Sequence, residues 1–505
     1  MKNKFIRTYV LFLSVALASS SALAQRNASQ DSNPFLDRDY WASKPSIGEI
    51  DTNIVQGHSV TEANGGGFDA TTFAIFANNP VTTVNHLIEK GNDVNKKTHD
   101  SRTYIFWAAS RGNLELMEYF VGKGANLNVK DSHGYFPSSF AAASGQQDQK
   151  VYEFFIKNGS DLKNEKDHHG ANILLVAAAR AKDLKLVDFL ISKGLDINTT
   201  DDDGNGIFNY AAKGGNIAIL KALNDRGVSI KKSEKTGENA ILFASSGGGR
   251  GSSVGIEVFE YLEGLDIAPN VTAKNGITPI HNLSRSSSDI KLFDYFISKG
   301  VDPNAKDEAG NTAFLNSISR NKLETISYFA EKTNNINQTN NDGQSALALA
   351  IQNNSAEVVN FLISKGAKTD VLDKDGNNLA YYLFETRGKP KDFDSKVQAL
   401  SKAGFNFKAL QADKSNIWHL AVGKNDIGLL KKVSGFEADI NAKDDQGNTP
   451  LLDAAMQTNN SEILKFLIAN GADIKSTTEF GETVLDLAKE NELLAKSNTN
   501  LDFLN

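Results

Sequence analysis

A short phrase recurs along the chain at intervals close to 34 residues, and this period constrains the fold more than any other feature. The phrase runs over residues 88–95 and again over 121–128, each time from an apolar end through a Gly to a polar Asn. Thr333 and Glu437 take the place of the Gly in two copies. The Gly markers are residues 57, 91, 124, 159, 194, 227, 264, 300, 366, 404 and 471. With those two substitutes included, successive markers lie 33 to 38 residues apart, which indicates a series of repeats and not a set of unrelated domains.

Each repeat has the pattern of two short helices. After Thr103, apolar residues recur over 105–109, Gly112 interrupts them, and a second set follows at helical spacing over 114–121. Gly124 comes next, and Gly often ends a helix because it adopts a left-handed conformation at little cost. Paired Ala residues recur in the first helix, where small side chains let neighbouring repeats approach closely. These pairs begin at residues 108, 141, 177, 211 and 454.

Asp and Gly form short turn sequences between the second helix of one repeat and the first helix of the next. Asp bonds to the backbone of its own turn, and Gly supplies the conformations that a tight turn needs. We therefore expect tight turns that project from one edge of the repeats. They lie at 131–134, 201–204, 307–310, 342–343, 375–376 and 444–447.

This arrangement resembles the ankyrin repeat. The family phrase Thr-Pro-Leu-His is nearly intact at 278–281, with looser versions at 449–451 and 416–421. The resemblance covers residues 46–490. It implies an all-α, ankyrin-type helical repeat solenoid with projecting β-hairpin loops, about twelve full repeats with caps at the ends.

The same resemblance carries expectations about function. Ankyrin-type proteins bind other proteins through their concave face and hairpin tips, which implies a scaffold for a partner protein. The family shares no catalytic residues, so the resemblance implies that the chain is not an enzyme. Two histidines, His281 and His419, lie within the family phrase. Their imidazoles are expected to bond local backbone and to stabilise the turn.

The first 24 residues have the three parts of a secretory signal peptide. The cations of its first part are Lys2, Lys4 and Arg7. An apolar run over 10–18 follows, shorter than the ~20 residues that span a bilayer, and small residues predict cleavage near Ala24. We therefore expect a periplasmic or secreted protein. A flexible lead-in is predicted over 25–45 and a C-terminal cap or tail over 491–505.

Composition excludes several classes of chemistry. The chain has no Cys, which rules out disulfides, thiolate metal sites and a Cys nucleophile. Its 54 Lys and Arg stand against 61 Asp and Glu, a net charge of −7, whereas nucleic-acid binders normally carry a basic excess. No phosphate-binding loop or calcium loop has the required spacing. We expect a monomer with a protein partner and with no cofactor, no nucleic acid and no membrane span.

A cation stands near the C-terminal end of the first predicted helix in several repeats. These candidate partner-binding residues are Arg111, Arg180, Lys213, Arg285, Arg320 and Lys424. Stacking of the repeats would align them as a basic stripe on the concave side, suited to an acidic partner surface. The alternative is local, because a cation at a helix C-terminus offsets the helix dipole by about 0.3–1 kcal/mol.

Histidines stand beside carboxylates at the predicted turn tips of three consecutive repeats. The candidate metal ligands are His99, His133, His168 and His169. Imidazole and carboxylate together could bind a divalent metal or give this edge a pH-dependent charge. Against a metal, Zn²⁺ needs ligand atoms at ~2 Å, whereas neighbouring repeats stack about 10 Å apart. A small-ligand or metal-binding module that uses these tips or the elongated loops is the alternative function.

Three elongated segments account for the longest intervals between markers. They lie at 247–253, 284–288 and 386–391. Function often collects in long loops, whereas neutral drift is tolerated at loop tips. The segments are therefore either binding elements or neutral insertions.

Overall fold

The computed structural model describes residues 33–247, 254–385, 392–496 and 500–505. These residues form helices and turns without a strand, and the chain divides into two compact units. Unit 1 extends to Gly247 and includes Glu260–Ile267, and unit 2 holds the remainder. The all-α prediction is confirmed. The predicted signal peptide and the elongated segments at 248–253 and 386–391 lie outside the described residues.

In unit 1, the first and second helices of the repeats alternate along the chain. The first helices are Ala70–Phe76, Tyr104–Ser110, Pro137–Ala143, Ile173–Ala178, Ile207–Gly214 and Ala240–Ser245. The second helices are Val81–Glu89, Leu114–Gly122, Gln149–Lys157, Lys185–Ser192 and Ile217–Asp225. The helix Ile256–Glu263 is divided between the units. Each first helix packs on the first helix of the next repeat, so no repeat has a core of its own.

The same alternation continues in unit 2. Its first helices are Pro279–Ser286, Ala313–Ile318, Ala346–Asn353, Leu379–Phe384, Ile417–Val422, Pro450–Gln457 and Val484–Glu490. Its second helices are Ile290–Ser298, Leu323–Lys332, Ala356–Ser364, Phe393–Lys402, Ile427–Val433, Ser461–Ala469 and Glu492–Lys496. Contacts between successive first helices again build the core. The helix pairs predicted from the period are therefore present in both units.

Local sequence sets the ends of these helices. Asn113 Oδ1 accepts a hydrogen bond from Leu116 N at 3.0 Å and caps the helix Leu114–Gly122. After that helix, Gly124 has φ 87°, in the left-handed region where a Cβ is disfavoured. Glu437, which replaces a Gly marker, still adopts φ 52°.

One marker needs correction. Gly264 was expected to end its helix in the left-handed conformation, but Asp266 adopts it instead, with φ 61°. Asp tolerates this region better than most residues because its short polar side chain can bond locally. Counted to Asp266, the interval from Gly227 is 39 residues and the next one, to Gly300, is 34, so the extra length lies in the repeat that contains the elongated segment 247–253.

In several turns an Asp holds the loop through its side chain, and at 340–343 Asn340 takes this role. Asp131 Oδ1 accepts hydrogen bonds from His133 N and Tyr135 N, both at 2.9 Å. The same pair of bonds forms at Asp201, Asp373 and Asp444. Neighbouring turns are joined through the backbone, as from Ser132 N to Asp100 O at 2.9 Å. Five of the described loops contain one antiparallel bridge each, so the predicted hairpins are tight turns and not paired strands.

The recurring Asn of the sequence phrase links one repeat to the next. Asn95 Nδ2 donates to Gly124 O at 3.0 Å, and Asn95 Oδ1 accepts from Asn126 N at 2.8 Å. The same two-way bridge recurs in unit 2 at Asn304, Asn337 and Asn441. A side-chain amide carries both a donor and an acceptor, which explains why Asn recurs at this position.

Residues 33–55 are folded, so the described part of the lead-in predicted over 25–45, residues 33–45, is not flexible, and residues 25–32 lie outside the described residues. The folded elements are the 3-10 turn Pro34–Leu36 and the helices Arg38–Ala42 and Ile47–Val55. Phe35 and Trp41 are fully buried, and the Trp41 indole donates to Phe35 O at 2.8 Å. Tyr40 packs against both rings. These aromatic side chains cover the end of the core that no earlier repeat covers, although the segment around them is polar.

At the other end, Leu494 and Leu504 are buried against the last repeat elements. The elements that carry them are the helix Glu492–Lys496 and the 3-10 turn Asp502–Leu504. Of the helices that the structure describes, none has both the length and the apolar character to cross a bilayer.

Candidate functional site

The six predicted cations all lie where first helices end. Lys213 and Arg285 fall in the last turn of such a helix, and Arg111, Arg180, Arg320 and Lys424 come just after one. We refer to the face that these helix ends and the adjoining turns form within each unit as the first-helix surface. The positions agree with the sequence pattern, and the role of these cations in partner binding stays a prediction.

In unit 1, none of the ion pairs among the described residues involves Arg111, Arg180 or Lys213. The guanidinium of Arg111 lies over the Phe76 ring, 5.3 Å from its centroid. The pKa of Lys213 is lowered, first by the protein that displaces water around it and then by the charge of Arg180. Arg180 and Lys213 therefore form a local excess of positive charge, which Glu238 offsets only in part.

Aromatic side chains accompany the cations of unit 1. Phe140, Tyr210 and Phe243 belong to first helices and are half-buried. The rings of Tyr210 and Phe243 lie 5.4 Å apart, and the guanidinium of Arg102 lies 4.1 Å from the centroid of Phe140. Aromatic residues and Arg are the types that dominate the energetics of protein interfaces.

In unit 2 two of the three cations have acidic neighbours. Lys424 Nζ lies 2.9 Å from Glu385 Oε1, and Arg285 Nη2 lies 3.7 Å from Asp307 Oδ2. Arg320 is exposed at the end of its helix. Arg285 and Arg320 both line a polar groove of about 520 Å³, whose lining also includes Asn311, Asn316, Asn340 and Gln344. The charge of this surface is therefore more balanced than that of unit 1.

Two of the predicted metal ligands meet at one carboxylate. His99 Nε2 and His133 Nε2 lie 3.4 and 3.3 Å from Asp100 Oδ2. Arg102 Nη1 lies 3.0 Å from the same oxygen, and Arg102 Nε lies 2.8 Å from Asp131 Oδ2. A permanent cation therefore already neutralises the carboxylate that a metal would need. The metal role of these tips stays a prediction.

His168 and His169 lie exposed at the next turn tip. The ring of His168 lies against Gly134, and His169 O accepts a backbone hydrogen bond from Asp202 N at 2.9 Å. Among the described residues, no grouping of three potential ligands includes a tip histidine. One such grouping occurs elsewhere, with ligand atoms within 4.8 Å of one another: His419, Asp444 and Asp453.

The histidines of the family phrase bond backbone, as the resemblance implies. His281 Nε2 donates to the carbonyls of Ala305 and Asn311, at 3.0 and 3.1 Å. His419 Nε2 lies 3.2 Å from Asn448 O in the following turn. Burial lowers the pKa of both imidazoles.

Sequence analysis missed Asp453. The pKa of its carboxyl is raised to about 7, first by burial and then by the charge of Asp444, while a hydrogen bond from the Asn448 side chain opposes the rise. Its spacing is the signal that could have revealed it, because it falls nine residues after the turn aspartate Asp444, where other repeats place a tyrosine. Those tyrosines are Tyr210 and Tyr382.

Sequence analysis also missed Glu165, in unit 1. Its side chain is 6% exposed and accepts a hydrogen bond from the Ser138 hydroxyl. Burial is the main reason that the pKa of Glu165 rises to about 7, and the Ser138 bond opposes the rise. The carboxyl adjoins a pocket of about 470 Å³ whose lining includes Leu127 and Phe136.

Family models described as ankyrin repeats match four stretches that together exceed half of the chain. A three-copy model matches residues 72–166 and 280–373, and many-copy models match 175–223 and 435–488. The chain belongs to the ankyrin repeat family. Ankyrin repeats are protein-interaction modules and are generally not enzymatic, and the solenoid predicted from the resemblance is confirmed.

The curated relatives share short stretches of repeat sequence with this ankyrin repeat chain. A putative ankyrin repeat protein of Rickettsia bellii is 40% identical over 74 residues, 14% of this chain and 44% of that protein. The potassium channel AKT1 of Oryza sativa subsp. indica is 31% identical over 65 residues, 13% of this chain and 7% of the channel. The chain thus spans less than half the length of these relatives, and the similarity concerns the repeats.

Proposed function

We propose that this protein is an exported, non-enzymatic ankyrin-repeat scaffold that binds a partner protein with an acidic surface. The binding surface would be the first-helix surface, with its adjoining turns. The observation that carries the proposal is the pair Arg180 and Lys213, neighbouring cations of like charge with no ion pair to a described carboxylate.

Electrostatics supports an acidic partner. Because Arg180 and Lys213 repel one another, a carboxylate placed between them by a partner gains more than it would beside a cation that is already paired. Such charges also steer the encounter and raise the association rate at low ionic strength. The half-buried Tyr210 and Phe243 on the same surface offer apolar area that a bound partner would cover.

A charge-reversal variant tests this proposal. We expect Arg180→Glu with Lys213→Glu to weaken partner binding at least tenfold at low salt, mainly through slower association. The partner is first identified by cross-linking and mass spectrometry in an extract of the producing cells, and its affinity for purified wild type and variants is then measured.

The matched control reverses two cations on a second helix of the same region, Lys185→Glu with Lys193→Glu, which changes the net charge equally. Both of these lysines are exposed. We expect the control to retain wild-type affinity within about twofold. An equal loss in both variants would show that only net charge matters, and an unchanged affinity of the first variant would show that the cations serve the helices alone.

Export is a separate part of the proposal and rests on the N-terminal pattern of cations, apolar run and small residues. We expect the mature protein to begin at Gln25. N-terminal sequencing of protein from the periplasm and the medium of the producing bacterium tests this directly. An intact N-terminus on protein that stays in the cytoplasm would contradict export without affecting the binding proposal.

A further inference from the structure

An acid stands at Glu165 where the equivalent position of an earlier repeat holds a cation. The turns that begin at Thr98 and Asp167 correspond, because each begins with a backbone N–H that donates to the carbonyl four residues later. Two residues before these turn positions lie Lys96 and Glu165. Lys96 Nζ lies 2.7 Å from Asp69 Oδ2, a fully buried carboxylate, so the earlier repeat supplies its own cation. The later repeat reverses the charge at this position.

The carboxyl of Glu165 has one protein partner and one oxygen left over. Glu165 is 6% exposed, and its Oε2 accepts a hydrogen bond from the Ser138 hydroxyl. No residue that the structure describes donates to Oε1, and the ion pairs of unit 1 within the described ranges do not involve Glu165. A buried charge is unfavourable unless it is paired. Glu165 therefore either keeps its proton or needs a cation from outside the chain.

Glu165 lines a pocket of about 470 Å³ between two successive repeats, a volume typical of small-ligand sites. Val121, Leu127 and Phe136 give this pocket an apolar side. Asp161 also lines it and contributes a second carboxylate. An apolar wall next to two carboxylates suits a ligand that has both an apolar part and a positive charge.

The charges around the pocket favour such a cation. No Lys, Arg or His is among the described residues that line it. Lys130 lies outside the lining, with its Nζ 5.1 Å from the centroid of the Phe136 ring. The pKa of Glu165 is raised to about 7, mainly by burial; the bond from Ser138 lowers it and the charge of Asp161 raises it. Since the two carboxylates repel one another, a cation placed between them is stabilised by both.

We propose that this pocket binds an organic cation, an ammonium or guanidinium group on an apolar stem, with Glu165 and Asp161 as its counter-charges. The cationic group would lie at Glu165 Oε1, and the stem would pack against the apolar side of the pocket. A basic side chain of a peptide and a free alkyl amine share this chemistry. The lining includes no cation of the first-helix surface, so the proposal is independent of the acidic partner.

Two charged probes distinguish the sources of the cation: an acetylated and amidated Gly-Lys-Gly peptide, and putrescine, a free diamine. The same peptide with norleucine in place of its lysine keeps an apolar stem without the charge. Binding to the full chain at pH 8 is followed by NMR of the methyl groups of Val121 and Leu127. We expect saturable shifts at millimolar concentrations of at least one charged probe. Saturation by the peptide alone indicates a protein source, and saturation by putrescine alone indicates a free amine.

Charge-removing variants locate the site. Glu165→Gln keeps an acceptor for the Ser138 hydroxyl, so it is expected to fold and to bind the charged probe at least tenfold more weakly. Asp161→Asn should weaken binding several-fold. The matched control, Glu153→Gln, removes an exposed carboxylate from the second helix of the same repeat and should bind like wild type. The remaining methyl resonances confirm that each variant is folded.

The pH dependence gives a readout that a purely structural role of Glu165 would not produce. Because the cation competes with the proton on Glu165, whose pKa is about 7, wild-type affinity should rise about tenfold from pH 6 to pH 8. Glu165→Gln should not show this rise. The proposal is overturned if neither charged probe gives saturable shifts, if the norleucine peptide binds as well as the lysine peptide, or if Glu165→Gln binds like wild type.

Discussion

The two units share one fold but carry different side chains at an equivalent position, four residues after the residue that caps each first helix. In unit 1 the position holds Phe73, Trp107, Phe140, Val176, Tyr210 and Phe243. In unit 2 it holds Asn282, Asn316, Leu349, Tyr382, Leu420, Asp453 and Leu487. The repeat fixes the backbone at this position and leaves its side-chain chemistry to each unit: aromatic except for Val176 in unit 1, and mixed in unit 2.

The two units also differ in how their cations are paired with carboxylates. Unit 1 holds its aromatic surface together with a buried cation, Arg102, and presents Arg180 and Lys213 without an ion pair to any carboxylate that the structure describes. Unit 2 places carboxylates near Arg285 and Lys424. Changes to buried charges in unit 1 should therefore affect stability most, and changes to paired surface cations in unit 2 least.

The largest effect is expected from Arg102→Met. This change leaves the carboxylate of Asp131, whose side chain is fully buried, without its cation. We expect the local free energy of unfolding of unit 1 to fall by about 3–5 kcal/mol, the usual cost of breaking a buried ion pair. Hydrogen exchange of peptides from each unit measures this change separately from unit 2.

The matched change in unit 2 is Arg285→Met. Its guanidinium lies 3.7 Å from Asp307 and its side chain is 56% exposed, so we expect a loss under about 1 kcal/mol. Comparable losses in the two variants would mean that the burial of Arg102 does not decide its contribution.

A second contrast concerns the residue that contacts the start of the preceding first helix. In unit 1 this residue is Glu165, which accepts from Ser138, and in unit 2 it is Gln338, which donates to Thr312 at 2.7 Å. Burial raises the pKa of Glu165 from 4.5 to about 7 in the folded state. The folded protein therefore keeps a proton that the unfolded chain has already lost, and stability falls as pH rises from about 4.5 to 7.

Glu165→Gln is expected to remove the part of this pH dependence that Glu165 contributes, whereas Asp453 in unit 2, whose pKa is also raised to about 7, keeps its own contribution. At pH 8 the variant should be more stable than wild type by on the order of 2 kcal/mol, because the cost of ionising a buried carboxyl disappears. Urea unfolding at pH 5 and pH 8 measures the difference. The control, Gln338→Glu, should introduce a similar slope in unit 2. A wild-type slope that persists in Glu165→Gln would assign the pH dependence to other groups.

The bond between tyrosine and turn aspartate gives a smaller contrast. Tyr382 is almost fully buried and donates to Asp373 at 2.6 Å, whereas Tyr210 is half-buried and donates to Asp201 at 3.0 Å. We expect Tyr382→Phe to cost about 1.5–2 kcal/mol and Tyr210→Phe about 1 kcal/mol, since the acceptor is charged. Thermal unfolding and hydrogen exchange measure the two losses of stability. A larger loss for Tyr210→Phe than for Tyr382→Phe would contradict the prediction.

The sequence predicts the helix pairs because their signals are local. The Gly after each second helix and the Asp of each turn act within a few residues, as Gly124 and Asp131 show. Contacts between repeats are harder to predict. Arg102 meets Asp131, and Lys424 meets Glu385, across 29 and 39 residues. The pattern of cations therefore predicts where they lie but not which of them are paired.

The candidate sites illustrate the same limit. The tip histidines are conspicuous in the sequence. In the structure, however, Arg102 already forms an ion pair with Asp100, the carboxylate that lies between His99 and His133. Asp453 is inconspicuous, because a carboxylate in a helix near an Asp-Gly turn is common in this chain. Its spacing from Asp444 can be read in the sequence, but the bond that Tyr382 makes to Asp373 from the equivalent position is seen only in the structure.

The smallest effect is expected from Lys424→Gln, which tests the contrast between paired and unpaired cations. Lys424 already contacts Glu385 at 2.9 Å, so a partner gains little from it, and exposed ion pairs contribute about 0–1 kcal/mol to stability. We expect partner affinity within about twofold of wild type, whereas Lys213→Gln should weaken it several-fold. Affinity measured at two salt concentrations checks both variants, since only the unpaired cation should change the salt dependence. If Lys424→Gln weakened binding as much as Lys213→Gln, Glu385 would have to release its lysine when the partner binds, and the contrast between paired and unpaired cations would fail.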